Sequence, residues 1–176
     1  LIELKPLSPY AESKLKNEFF LNKNKSAMNA IGLRLFNMYG SRPENYSSNY
    51  AAVIPKWINN IRKNKSCQIY GDGKSLRDFC HIDDLCDFFM LLIKDNKKNG
   101  IYNFCSNKPC SIENLFYKII GSFNDLGYKI KYPEPDYVEE VMGDIKYSYG
   151  CNKLLKKIFN FQTKITLEMG LRRIIK

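Results

Sequence analysis

Polar and apolar positions alternate along this chain with two different periods. Residues 30–36 form a near-continuous apolar run, which is typical of a buried parallel strand. Residues 50–64 repeat instead at helical spacing, and the side chains on the apolar face are Ala51, Ile54, Trp57, Ile58 and Ile61. The first segment therefore predicts a strand inside a sheet, and the second predicts an amphipathic helix.

The remaining apolar segments continue this alternation to the end of the chain. The pattern predicts further strands at residues 67–70, 76–82, 100–106 and 129–132. It predicts further helices at residues 85–93, 112–123, 154–158 and 167–175, the first two with the N-caps Asp83 and Ser111. Residues 71–73 read as a glycine turn, and residues 133–143 as an irregular acidic loop. Alternating strands and helices indicate an α/β architecture.

A helix near the start of the chain carries the first candidate chemistry. Ser8 suits the N-cap position and Pro9 suits the first helical turn. Tyr10 and Lys14 are then four residues apart and stand on one face. A phenol beside a fixed ammonium can serve as a general base, because the positive charge favours the phenolate. The same spacing is common in ordinary amphipathic helices, so it does not identify a site by itself.

Composition limits the class of protein. The chain has 176 residues, of which 44% are hydrophobic and 14% aromatic, enough for a packed core in one domain or in part of a larger one. No run reaches the roughly 18 apolar residues of a membrane span. The first residues contain neither an initiator Met nor the apolar core of a signal peptide. We therefore expect that this sequence comes from the middle of a longer chain.

Charge and cysteine content change the picture only slightly. The net charge is +10, but the lysines are scattered, which favours attraction of an anionic substrate over nucleic-acid binding. Six cysteines show no C-x-x-C spacing, and His81 is the single histidine. These counts disfavour a structural zinc site and indicate reduced thiols in the cytoplasm.

Two glycine motifs resemble phosphate-binding loops but are incomplete. The sequence Gly71-Asp72-Gly73 lacks the third glycine of a dinucleotide fingerprint. The sequence Gly73-Lys74-Ser75 resembles the end of a P-loop, but Gln68 stands where the first glycine is required. We expect neither type of phosphate cradle within this chain.

Four other motifs occur in a specific order. They are Y-x-x-x-K at residues 10–14, L-R-L-F-N-M-Y-G at 33–40, Y-A-A-V-I-P-K-W at 50–57, and I-Y-G-D-G-x-x-x-R-D-F-C-x-I-D-D at 69–84. In this order the set resembles the extended short-chain dehydrogenase/reductase superfamily acting on nucleotide sugars. Within that superfamily the chain looks most like the UDP-N-acetylhexosamine 4-epimerases. The resemblance covers nearly the whole chain, but only the C-terminal half of such an enzyme.

The resemblance implies a domain organisation. Residues 1–48 would be the last helix and strand of a Rossmann-like NAD-binding domain, and residues 49–176 mainly the smaller mixed α/β substrate-binding domain. The full-length enzyme would use NAD, form a homodimer and act in polysaccharide biosynthesis. The glycine-rich NAD loop and the Ser/Thr that assists the tyrosine would both precede residue 1.

The resemblance also implies catalytic roles. Tyr10 would be the base, and Lys14 would bind the nicotinamide ribose and lower the pKa of the tyrosine, so that both contact the cofactor. The phenolate would take the proton of the sugar C4 hydroxyl while hydride passes from C4 to NAD. An epimerase would return hydride to the other face of the 4-keto sugar.

Seven further positions would bind the substrate. Asn37 and Arg77 would hold the diphosphate, and Asp144 the nucleotide ribose. Backbone amides at a helix start would face the nucleotide, and two side chains would line the base; these residues are Ala52, Val53, Ile69 and Tyr70. An arginine frequent in such enzymes three residues before the aspartate is replaced here by Val141.

Structural explanations stand beside some of these roles. Asn37 would suit a turn at the end of a strand, and Arg77 could form an ion pair with Asp83 or Asp84. The function also has alternatives: a 4,6-dehydratase, a UDP-glucuronate decarboxylase, or a truncated substrate-binding module that is inactive alone. The segment Y-A-A-V-I-P at residues 50–55 favours the epimerase of a UDP-hexose or UDP-N-acetylhexosamine.

Overall fold

The structure is a computed structural model that describes residues 5–6, 8–27, 29–40, 52–94 and 98–176. Its helices are α1 (Pro9–Asn24), α2 (Val53–Arg62), α3 (Ile82–Lys94), α4 (Ile112–Asp125), α5 (Lys153–Phe159) and α6 (Leu167–Ile175). Its strands are β1 (Ile31–Leu35), β2 (Met38–Tyr39), β3 (Gln68–Tyr70), β4 (Leu76–Asp78), β5 (Cys80–His81), β6 (Gly100–Phe104), β7 (Pro109–Ser111), β8 (Asp136–Val138) and β9 (Tyr147–Ser148). The predicted α/β class is confirmed.

Most of the strand pairs are parallel. β1 pairs with β6 from Ile31 opposite Gly100 to Leu35 opposite Phe104. β2 pairs with β5, and β3 with β8, also in parallel. In a small three-stranded sheet, β4 is antiparallel to β7 and parallel to β9. Parallel pairs require long crossover connections, and helices supply them here.

Local capping signals fix the starts of several helices. The Ser8 hydroxyl accepts a hydrogen bond from the Ala11 amide at 3.2 Å, and Pro9 lies in the first turn of α1. The Ser111 hydroxyl likewise accepts from the Asn114 amide at 3.0 Å at the start of α4. Both N-caps were predicted and are confirmed, because each depends only on neighbours in the sequence.

Two sequence-based assignments are wrong. Asp83 is not an N-cap, because β5 runs directly into α3 and places Asp83 in the first turn of the helix. Residues 129–132 form no strand; β8 lies instead within the predicted acidic loop, where Ile69 of β3 pairs with Tyr137. A neighbouring strand, rather than local apolar content, decides which segment becomes extended.

Strand β1 is less buried than its apolar sequence predicts. Its residues are half-buried or exposed, and Leu35 is 49% exposed. Within the described parts of the chain, β6 is the only strand that pairs with β1. A strand buried on both sides needs neighbours at both edges and cover on both faces.

Buried side chains form two hydrophobic clusters. The first joins α2, α4 and α6, with Trp57 edge-on to Phe116 at 5.6 Å between ring centres. The second packs β6 against α3 and α5, where Phe88 lies 5.1 Å from Phe159. Ile31 and Leu33 of β1 also contact the second cluster, so it includes residues from both sides of position 48. The predicted domain boundary stays a prediction.

Among the described helices, none has the length and apolar content needed to cross a membrane.

Candidate functional site

Tyr10 and Lys14 lie together on one face of α1. The Lys14 Nζ atom is 5.0 Å from the centre of the Tyr10 ring, which confirms that the two side chains share a face. The ammonium lies over the aromatic face, a cation–π arrangement. Tyr10 is 71% exposed, and none of the residues of α1 is buried. The catalytic roles of both residues stay predictions.

A cavity of about 890 Å³ lies between α1 and the β1–β6 pair. Lys14 and Leu15 line it from the helix, Asn103 lines it from β6, and residues 149–151 close one side. Arg34 of β1 is at its wall and binds Glu18 of α1, with 2.6 Å between Nε and Oε1. The hydrogen bond from Arg34 lowers the pKa of Glu18, so this pair ties α1 to the sheet.

Arg77 and Asp144 are brought together by the fold although 67 residues separate them. Arg77 Nη2 lies 2.9 Å from Asp144 Oδ1, and Arg77 Nη1 donates to the Leu76 carbonyl at 3.0 Å. The Arg77 side chain is 14% exposed, whereas that of Asp144 is 45% exposed. Pairing of β4 with β9 places Arg77 opposite Ser148 and carries the Asp144 loop over β4.

The ion pair that sequence analysis offered as an alternative for Arg77 does not occur. Asp83 instead contacts Arg173, with 3.0 Å between Nη1 and Oδ2. Asp84 is buried and accepts hydrogen bonds from the amides of Lys164 and Ile165 at 2.9 and 3.2 Å. Both carboxylates therefore hold the C-terminal segment against α3, which leaves Arg77 to pair with Asp144.

Asn37 lies between β1 and β2 in an unusual backbone conformation, with φ of 27°. Its Nδ2 donates to the Asp78 carbonyl at 3.0 Å, and its own carbonyl accepts from the Cys80 amide at 3.3 Å. The side chain thus joins the end of β1 to the β4–β5 segment. This contact matches the turn explanation for Asn37, while its role in diphosphate binding stays a prediction.

Asp78 is an important residue that sequence analysis did not select. Its carboxylate is fully buried and accepts from the Ser106 amide at 2.7 Å, the Ser106 hydroxyl at 2.6 Å and the Asn107 amide at 2.9 Å. It thereby fixes the loop after β6. The one sequence feature that pointed to Asp78 is its position next to Arg77 in the R-D-F-C motif. The sequence did not reveal its partner, because Ser106 lies 28 residues further along the chain.

The predicted nucleotide contacts differ in accessibility. Ala52 is the exposed N-cap of α2, and Val53 begins the helix without a side-chain cap, so the first amides are available to an anion. Ile69 is 1% exposed within the first cluster, and only its backbone could reach a ligand. Tyr70 is 48% exposed at the end of β3. Residues 50 and 51 of the predicted motif lie outside the described residues.

The parallel β1–β6 pair and the Tyr10–Lys14 helix define a Rossmann-like extended short-chain dehydrogenase/reductase fold. The sequence model of the NAD dependent epimerase/dehydratase family matches residues 1–105. The chain belongs to this family, and the resemblance stated from its motifs is confirmed.

Solved structures and curated relatives include both epimerases and dehydratases. UDP-N-acetylglucosamine 4-epimerase from Methanobrevibacter ruminantium, in complex with UDP-N-acetylmuramic acid, is 32% identical with a TM-score of 0.86. The alignment covers 98% of this chain and 54% of that one. A putative UDP-glucose 4-epimerase of Methanocaldococcus jannaschii is 30% identical over 175 residues, which are 98% of this chain and 53% of the relative.

A dehydratase has a similar structure as well. The dTDP-glucose 4,6-dehydratase of Bacillus anthracis in complex with NAD is 25% identical, with a TM-score of 0.78, over 98% of this chain and 52% of that one. The chain therefore spans about half the length of the relatives that it matches.

NAD is the cofactor of the family, and part of this chain suits one end of it. The ammonium of Lys14, which lines the cavity beside α1, offers three donors to ribose hydroxyls. The given sequence contains no complete glycine-rich dinucleotide motif. The residues present therefore fit the ribose next to the nicotinamide and not the pyrophosphate.

Proposed function

We propose that this chain forms the C-terminal half of an NAD-dependent nucleotide-sugar 4-epimerase acting on a UDP-hexose or UDP-N-acetylhexosamine. The observation that carries the proposal is the contact between Arg77 and Asp144, two residues to which the resemblance assigns the diphosphate and the ribose. The 32% identity to a UDP-N-acetylglucosamine 4-epimerase over nearly the whole chain supports the choice of substrate.

The substrate groups would meet complementary partners. Arg77 has little exposed surface and is fixed at two of its nitrogens, so little conformational entropy is lost when its remaining N–H groups bind a diphosphate. The more exposed Asp144 carboxylate can accept hydrogen bonds from ribose hydroxyls. The uncapped first turn of α2 adds amide donors and a positive helix end.

The chemistry would take place at Tyr10. Its hydroxyl would accept the proton of the sugar C4 hydroxyl, and the neighbouring Lys14 would stabilise the phenolate and hold the nicotinamide ribose. NAD, when bound, would supply the acceptor for the C4 hydride. The high exposure of Tyr10 suits a group that must reach a substrate once the site is complete.

Two alternatives rest on specific observations. The similarity to a dTDP-glucose 4,6-dehydratase favours elimination from the same 4-keto sugar; loss of CO₂, as in UDP-glucuronate decarboxylation, would begin from the same species. The exposed Phe19 and Phe20 of α1, at 63% and 59%, favour a module that needs a further segment to complete it. In that case the 176-residue chain alone should bind NAD weakly or not at all and show no turnover.

The setting of the enzyme is part of the same proposal. We propose a homodimer of the full-length protein that acts in the cytoplasm and supplies sugars for polysaccharide biosynthesis. All six cysteines, each within the described residues, are free thiols, which suits a reducing compartment.

The test uses the full-length protein with NAD and three substrates in parallel. Proton NMR should show UDP-N-acetylglucosamine or UDP-glucose converting to its C4 epimer, with no loss of water. Formation of a 4-keto-6-deoxy sugar from dTDP-glucose would establish the dehydratase instead. No conversion of any nucleotide sugar, with NAD bound, would contradict the enzyme proposal. The Tyr10→Phe variant serves as the inactive control.

A further inference from the structure

A second cavity, of about 600 Å³, lies on the other side of the loop that follows β6. Its walls come from that loop, the first turns of α4, helix α5 and the segment that leads into α6. None of the nine predicted catalytic and substrate residues lines it. It is therefore separate from the candidate active site.

The cavity is strongly positive. Five lysines line it, and Glu168 is the single carboxylate among the lining residues. Glu168 is bound to Lys118, and Lys164 pairs with Asp87 at 3.7 Å. The other three, Lys108, Lys153 and Lys156, form no ion pair with any residue that the structure describes. Their charges remain available to a ligand.

The shape and chemistry of the walls suit an anion with several oxygens. Lys153 and Lys156 are three residues apart on α5, so their stems project from the same face. Hydroxyl and amide side chains, including those of Ser106, Asn114 and Thr163, complete the lining. Like charges held around one concavity repel each other, and a polyvalent anion relieves this repulsion.

The cavity also touches the candidate active site through a shared wall. Asn107 and Pro109 line both this cavity and the one beside Lys14. The buried Asp78 carboxylate holds this loop through Ser106 and Asn107, and Asp78 directly follows Arg77 in the sequence. An anion in the second cavity would thus be separated from the catalytic side by one anchored loop.

We propose that this cavity is a binding site for a second small phosphate-bearing anion, distinct from the nucleotide sugar. The ligand class is a free polyphosphate such as pyrophosphate, or the phosphate chain of a nucleotide. The unpaired ammonium groups of Lys108, Lys153 and Lys156 bind its oxygens.

Inorganic pyrophosphate is the probe, measured by calorimetric titration of the full-length protein at constant ionic strength. Lys156→Gln should raise the pyrophosphate Kd by about three- to fivefold, as expected for one partly exposed charge contact. Lys157→Gln removes the same charge from the same helix, but Lys157 does not line the cavity, so its Kd should change by less than about 1.5-fold. Lys108→Gln, in the loop after β6, should match Lys156→Gln.

Two competition experiments distinguish this cavity from the nucleotide-sugar site and identify the source of the phosphate. Saturating UDP-glucose occupies the diphosphate site proposed at Arg77, and pyrophosphate should still bind in its presence, with the same dependence on Lys156. A nucleoside triphosphate that competes with pyrophosphate would identify the nucleotide as a source of the phosphate chain; its failure to compete would leave free polyphosphate as the ligand. Equal effects of Lys156→Gln and Lys157→Gln, loss of pyrophosphate binding in the presence of saturating UDP-glucose, or no measurable pyrophosphate binding would each overturn the proposal. These outcomes do not depend on turnover, so they stand apart from the test of epimerase activity.

Discussion

The two parts of the candidate active site are held in very different ways. Arg77 and Asp144 are fixed by strand pairing, by an ion pair and by a backbone hydrogen bond, all within the described residues. Tyr10 and Lys14 lie on a helix with no buried residue, beside a strand that is only half covered. The comparison shows that contacts within the described residues fix the predicted substrate-binding pair, whereas the predicted catalytic pair lies on a helix that those residues cover only in part.

The largest expected effect is a loss of activity on substitution of Tyr10, which belongs to the less firmly held pair. In the full-length protein, Tyr10→Phe should lower kcat by about 10²- to 10⁴-fold, because the hydroxyl that moves the proton is lost. The Kd of UDP-glucose, measured by calorimetry, should stay within about twofold of the wild-type value. Retention of most of the activity would show that Tyr10 is not the base.

The next largest effect is a loss of stability at Asp78, which follows Arg77 on β4 and anchors the loop after β6. Asp78→Ala leaves two amides and a hydroxyl without their acceptor and should reduce the free energy of unfolding by about 3 kcal/mol. Urea unfolding measures this change. Asp78→Asn keeps one acceptor oxygen and should lose less. An unchanged unfolding midpoint in Asp78→Ala would mean that the loop is held by other contacts.

Substitution of Arg77 should weaken ligand binding without lowering stability. Arg77→Ala should raise the Kd of UDP by roughly 10- to 100-fold, because a charge-assisted contact of about 1.5–3 kcal/mol is removed. Arg77→Lys should recover only part of this loss, since an ammonium cannot bridge two oxygens as a guanidinium does. The melting temperature of the ligand-free protein should change little. The matched control is Asp83→Ala, which breaks the contact with Arg173 and should leave UDP binding intact.

The smallest effect concerns pH, and it arises where β5 meets α6. His81 is buried, and burial lowers its pKa from the ordinary value of 6.5; the nearby Asp83 opposes this shift. Its Nδ1 accepts from the Asp83 amide at 3.2 Å, so the neutral ring carries its proton on Nε2. Because the native pKa lies below the unfolded one, stability is present above about pH 6.5 and is lost as the pH falls below it.

Thermal melts between pH 5 and pH 7.5 measure this loss, which should not exceed about 1.4 kcal/mol per pH unit for one proton. In His81→Gln the part of the pH dependence of stability that comes from His81 should disappear. The charged groups near the ring are Asp83, Asp84 and Arg173, and all three remain in the variant. Any pH dependence that remains in His81→Gln therefore comes from groups other than His81. An identical slope in both proteins would assign the pH dependence to other groups.

Sequence patterns alone predicted several features whose cause is local. The caps at Ser8 and Ser111, the helical face of α2 and the shared face of Tyr10 and Lys14 all depend on residues within one or two turns. The order of the four motifs also identified the family. None of these inferences required knowledge of which distant segments meet.

Tertiary structure decided the rest, because partners far apart in sequence leave no periodic signal. The partner of Arg77 is Asp144 rather than Asp83 or Asp84, since β9 pairs with β4 and brings the Asp144 loop across it. The same kind of distant pairing made β8 a strand in place of residues 129–132. The burial of Asp78 follows from the loop after β6, whose free amides need an acceptor in the interior.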